Sequence, residues 1–140
     1  MVSLLIGPKG SGKTKKLIDE IDDALARSKG NVVCVEKNDA MRLNVNFRAR
    51  LVKTDDYGIS GYNELYAFLS GLCAGNYDIT DILIDATLRI GGRDMDELCA
   101  FLERVAALAA KNETNFVFTV SAQEDQLPAK IFDFCKKIAI

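Results

Sequence analysis

The apolar positions change period several times along the chain. Residues 2–6 form a short apolar run closed by Gly7 and Pro8, the pattern of a buried strand that ends in a turn. A helical period follows: over residues 13–28, Leu17, Ile18, Ile21, Ala24 and Leu25 fall on one face, and Gly30 is placed to close the helix. The β-branched run NVVCVE at residues 31–36 predicts a second strand. Residues 37–60 are mostly irregular, with room for a short strand at 50–54 and a turn around Asp55, Asp56 and Gly58. Leu65, Phe68, Leu69, Leu72 and Cys73 restore the helical period over residues 61–74, ended near Gly75 and Asn76, and residues 82–84, between Asp81 and Asp85, form a central strand. Beyond Gly91 and Gly92, Asp94 and Glu97 make a D-x-x-E cap ahead of the longest periodic run, through Met95, Leu98, Cys99, Leu102, Val105, Ala106 and Ala109. Residues 116–120 read as a strand, Pro128 opens a helix at its first turn, and residues 137–140 could form a last strand.

Strands that alternate with helices predict an α/β fold, a three-layer αβα sandwich around a mainly parallel sheet of five strands. Ligands of such sheets bind at the carboxyl ends of the strands, which puts Gly7, Glu36, Asp85 and Ser121 along one edge. At 140 residues, with no repeat or linker, the chain is expected to form one domain over residues 1–140.

Composition narrows the chemistry. Hydrophobic residues make up 49% and charged residues 27%, enough apolar material for a packed core and too little net charge for a disordered chain. A net charge of −2 provides no global field to gather nucleic acid or an anionic membrane. The basic stretch Arg42, Arg48, Arg50 and Lys53 has few aromatics beside it and reads as a solvated surface rather than a nucleic-acid contact. The absence of histidine removes the commonest general base and the commonest imidazole ligand. Cys34, Cys73, Cys99 and Cys135 are too widely spaced for a zinc site and read as core residues of a reduced protein. No run of apolar residues approaches the length of a membrane span and no signal sequence is recognisable, so a cytoplasmic location is expected.

The residues Gly7, Pro8, Lys9, Gly10, Ser11, Gly12, Lys13 and Thr14 fit G-x-x-x-x-G-K-[ST], with a strand before and a helix after. The glycines let the backbone curl so that successive N–H groups point at phosphate oxygens, and the helix N-terminus adds partial positive charge. Lys13 then neutralises the β- and γ-phosphates, and the Thr14 hydroxyl ligates Mg2+.

Through GPKGSGKT and a second box, the chain resembles the P-loop NTPase superfamily. The run DILID at residues 81–85 is similar to a Walker B strand, which implies that Asp85 holds Mg2+. The extra strand at 31–36, between the two boxes, gives the resemblance a RecA-like cast. Asp55-Asp56-Tyr57-Gly58 imitates a GTPase D-x-x-G, but no [NT]-K-x-D guanine reader occurs. Many RecA-like ATPases carry a glutamate directly after the Walker B aspartate, where this chain has Ala86. RecA and its relatives place it after the second strand, which makes Glu36 the candidate to orient a water. Ser121 resembles in position the polar sensor that ends the fourth strand of RecA-like domains. Arg89 and Arg93 flank Gly91-Gly92, where a flexible loop could offer a guanidinium to phosphate, in the same chain or a neighbour's.

The resemblance implies a protein that binds ATP and Mg2+, with slow or partner-stimulated hydrolysis and either a protein partner or self-association. Two further readings stay open. GPKGSGKTKKLI is similar to the opening of type II thymidine kinases, although their glutamate after Walker B and their cysteine-rich zinc lobe have no counterpart here. A binding module without turnover, in which ATP orders residues 37–60 or the Gly91-Gly92 loop, is the other. Short bacterial chains of similar appearance are catalogued as twitching-motility or pilus-retraction ATPases, but those motors have a histidine box and this chain has no histidine.

Overall fold

The computed structural model describes residues 1–38 and 44–140. Its elements in chain order are β1 (Val2–Gly7), α1 (Lys13–Arg27), β2 (Asn31–Glu36), β3 (Arg50–Lys53), α2 (Tyr62–Gly75), β4 (Ile79–Ile84), α3 (Thr87–Gly91), α4 (Met95–Asn112), β5 (Asn115–Ser121) and β6 (Lys136–Lys137). The six strands form one sheet in the order β3-β2-β4-β5-β1-β6, with every pairing parallel.

The two-residue period of a strand sends alternate side chains to opposite faces, and the core divides accordingly. Leu5, Val32, Cys34, Leu83 and Val117 face α1, where they meet Leu17, Ile21 and Ala24. Leu4, Ile6, Val33, Val35, Ile82, Ile84, Phe116 and Phe118 face the opposite layer, where Leu65 and Leu69 of α2 and Leu98, Leu102 and Val105 of α4 complete the packing. Both faces of the central strands are therefore apolar, which accounts for their continuous hydrophobic runs. The α/β sandwich expected from the pattern is the observed one, with six strands rather than five. The sixth strand, β6, is only two residues long, pairs at Ser3 and Leu4 of β1, and overlaps only the start of the last strand expected at 137–140.

Local chemistry explains most boundaries. Asp94 caps α4 by accepting hydrogen bonds from the N–H groups of Asp96 (3.0 Å) and Glu97 (3.1 Å). Gly58, at φ 65°, closes a 3-10 turn over Thr54–Tyr57, where a turn was expected. Pro128 opens a 3-10 turn, Ala129–Asp133, not the expected α-helix. Gly30 does not end α1, which stops at Arg27 with the Ser28 N–H bonded to Ala24. A Cβ at residue 30 would lie 2.0 Å from the Asp78 carbonyl oxygen, so glycine is there because another backbone passes against it. Among the described residues, no helix is long and apolar enough to cross a membrane.

Candidate functional site

β1 ends at Gly7 and α1 starts at Lys13, so the intervening residues form a loop at the carboxyl edge of the sheet. Gly10 (φ 84°) and Gly12 (φ 91°) adopt left-handed conformations that an L side chain resists. These two residues bend the loop back on itself, and the Ser11 N–H closes it by bonding to the Pro8 carbonyl at 3.2 Å. Gly7 is required for a different reason. A Cβ there would sit 2.5 Å from Ser11 Oγ and 3.1 Å from Ile140 Cδ1.

Lys13, at the first turn of α1, is buried beneath this loop, and its Nζ donates to the Pro8 carbonyl oxygen at 2.9 Å. Burial of the ammonium lowers its pKa below the ordinary lysine value, and the charge of Asp85 opposes that shift without cancelling it. The amine is thus held short of its full complement of favourable charge, the state in which an added anion is most welcome.

Asp85 directly follows β4 and is buried. Counting by twos from Leu83 places it on the α1 side of the sheet, the side on which the loop hands over to Lys13. Its main-chain N–H bonds to the Val35 carbonyl at 2.9 Å, and its Oδ1 accepts from the Thr119 hydroxyl at 2.6 Å. Ala86 then takes a left-handed conformation (φ 56°) and turns the chain into α3.

Lys9, Gly10, Gly12, Lys13, Thr14, Asp85, Arg89, Arg93 and Ser121 all line one cleft of about 820 Å³, together with Lys15, Ala86 and Leu88. Asp85 is the one carboxylate among these described residues and faces five cationic side chains. Such a cleft suits a multiply charged anion. The Thr14 hydroxyl and the Asp85 carboxylate are hard oxygen donors, the type a magnesium-sized cation prefers. Among the described residues no cluster of three or more Cys, Asp or Glu could hold a metal unaided. A cation here would therefore complete its shell with phosphate oxygens and water, as Mg2+ does.

Three sequence-based expectations are placed differently. Gly7, Pro8 and Ser11 build the loop from behind rather than lining the cleft. Glu36 ends β2 beside β4, is buried, and lies outside the cleft lining. Its charge still reaches inward: burial, then Glu36, then Asp85 raise the pKa of the Cys34 thiol. Arg89 and Arg93 are exposed on the cleft wall, Arg89 within α3 and Arg93 in the bend between α3 and α4. Arg89 belongs to α3, which is fastened by the Gly61 N–H to the Ile90 carbonyl (2.9 Å) and by the Tyr62 hydroxyl to the Gly92 carbonyl (2.7 Å). Of the basic stretch, Arg42 lies outside the described residues. Arg48 and Arg50 are exposed, and Lys53 pairs with Asp56 at 3.7 Å.

In the sequence Thr119 reads as an ordinary β-branched strand residue, and only the structure places it beside Asp85. Its signal was a hydroxyl in an apolar strand, FVFTVS, at a position where valine would pack equally well.

No protein-family model and no curated protein matches the sequence. The chain is similar in structure to the crystal structure of the flagellar accessory protein FlaH from Methanocaldococcus jannaschii, with a TM-score of 0.58 and 14% identity. The match covers 94% of this chain and 65% of the FlaH chain, so this chain spans less than two thirds of that protein. At this identity the likeness establishes the fold, a RecA-like α/β sandwich.

Proposed function

We propose that the chain is a Mg-ATP-binding P-loop protein with slow or partner-stimulated ATP hydrolysis. The observation that carries this reading is the convergence of the curled Gly7–Thr14 loop, the buried Lys13 and the buried Asp85 on one cationic cleft at the carboxyl edge of the sheet. Loop N–H groups and Lys13 bind the β- and γ-phosphates, and Arg89 and Arg93 neutralise charge from the opposite wall. Ser121 at the end of β5 contacts the terminal phosphate. Thr14 and Asp85 hold Mg2+, which supplies charge neutralisation between the phosphates.

Glu36, which ends β2 beside the strand that carries Asp85, is assigned in this reading to orient the attacking water. The test is phosphate release from Mg-ATP by the wild type and Glu36→Gln. Turnover in the wild type that falls about 100-fold or more in the variant is expected, on the scale of a lost general base. Equal turnover would remove Glu36 from the role.

One observation favours a second reading, a nucleotide-gated binding module without turnover. Asp85 is the one carboxylate among the described residues lining the cleft, and it is engaged by Thr119. Tight Mg-ATP binding with no phosphate release, with or without added cell lysate, would select this reading. Phosphate transfer to a nucleoside panel would instead select the kinase.

A further inference from the structure

Thr119 is 1% exposed and sits in the middle of an apolar strand, where a hydroxyl is costly unless fully bonded. Both of its bonds run toward the cleft edge. The Ala86 N–H can only donate, so at 2.9 Å the Thr119 oxygen is the acceptor. The single hydroxyl proton is thereby committed to Asp85 Oδ1 at 2.6 Å. The direction of the relay is fixed by chemistry: Ala86 N–H to Thr119, and Thr119 O–H to the carboxylate.

Two consequences follow. The Ala86 amide belongs to a residue in the left-handed region, disfavoured for an L-amino acid, so the hydroxyl helps hold the bend from β4 into α3. Asp85 is also fastened twice, through its main-chain N–H to Val35 on β2 and through its side chain to β5. One oxygen of its carboxylate is thus anchored in the free protein.

We propose that Thr119 is the positioning residue for Asp85, holding Oδ1 so that Oδ2 is preset to meet the divalent cation carried by the bound phosphates. This inference rests on the nucleotide-binding reading above. Partners that orient a ligating carboxylate in this way typically change metal affinity by about 10–100-fold when removed.

The experiment measures the affinity of a fluorescent ATP analogue in EDTA, then titrates Mg2+, on the wild type, Thr119→Val and Thr119→Ser. Valine keeps the shape and removes the proton; serine restores it. The valine variant is expected to keep its EDTA affinity within about twofold and to need about 10-fold more Mg2+ at half-saturation, with serine returning to near wild type. A purely structural role would lower both affinities together and would not be rescued selectively. An unchanged Mg2+ midpoint in folded Thr119→Val overturns the proposal, as does a serine variant that behaves like valine. Should the valine variant not fold, Thr119→Ala takes its place with the same two outcomes. Failure of the wild type to bind the analogue at all would overturn the nucleotide reading itself, whereas normal binding with unaltered Mg2+ dependence in the variants would overturn only the role of Thr119.

Discussion

Replacing Lys13 with methionine should leave the stability of the free protein nearly unchanged while it sharply weakens ligand binding. The ammonium is buried, its pKa is lowered chiefly by desolvation, and its contacts in the free protein are one good bond to the Pro8 carbonyl and a long one, 3.5 Å, to Ser11 Oγ. A near-isosteric apolar side chain removes the desolvation cost and gives up about 1 kcal/mol of hydrogen bonding. The unliganded variant is therefore expected to unfold within about 1 kcal/mol of the wild type, roughly 4 °C or less in Tm. Binding has no such compensation. Loss of a charge-assisted contact to phosphate costs about 3 kcal/mol, close to a 150-fold rise in Kd. At a nucleotide concentration of about 100 times the wild-type Kd, the wild type gains about 2.7 kcal/mol of stability, while the variant gains only about 0.3 kcal/mol. Thermal unfolding with and without Mg-ATP reads both numbers in one experiment. A variant that loses several kcal/mol without ligand, or that keeps the full ligand-induced shift, would show that Lys13 is a structural residue and not a phosphate ligand.

The same burial predicts a pH signature. The lowered pKa of Lys13 in the free protein rises once phosphate charge is beside it, so binding at alkaline pH takes up protons, and affinity declines beginning below pH 10.5, the ordinary lysine value. The sign for stability is the reverse: burial of the charged amine destabilises the free fold at neutral pH, and that cost is relieved as pH rises through the lowered pKa. Calorimetry in two buffers of different ionisation enthalpy measures the uptake, and none in the alkaline range would contradict the assignment. Gly91→Ala is expected to destabilise by about 1–3 kcal/mol, because the new Cβ would meet the Tyr62 ring at 2.1 Å. That ring is held by Phe101 at 5.0 Å and by its bond to Gly92, so α3 must shift and carry Arg89 with it. Denaturant unfolding and nucleotide affinity should both fall, and an unchanged affinity would separate α3 from the cleft.

The central strands and the three long helices were legible because their residues obey one period each, as in NVVCVE or the Met95-to-Ala109 run. The loop after β1 was legible because its motif fixes glycine at residues 7 and 12, and the structure requires both, Gly12 for a positive φ and Gly7 for the close approach of Ser11. α3 was not legible, since five residues carry too few positions for a period to emerge, and the last strand was expected at 137–140 where the structure has only Lys136–Lys137. The Gly91-Gly92 pair reads in the sequence as loop glycines, whereas Gly91 ends α3 with the Tyr62 ring against it. Glycine permits mobility but is equally required where an aromatic ring presses on the backbone, and only the packing of Tyr62 distinguishes the two.

By itself the sequence determined that the chain alternates strands and helices, that a glycine-rich loop follows its first strand, and that Asp85 ends an apolar strand near the same edge. These are local properties, set by side-chain period and backbone freedom within a few residues. What only the tertiary structure decided is which distant residues meet. The sheet order puts β5 between β1 and β4, so Thr119 becomes the neighbour of Asp85 although 34 residues separate them. It also sets Glu36 at the end of β2, outside the cleft lining. Strand adjacency depends on how all the apolar faces are buried together, which no single segment encodes.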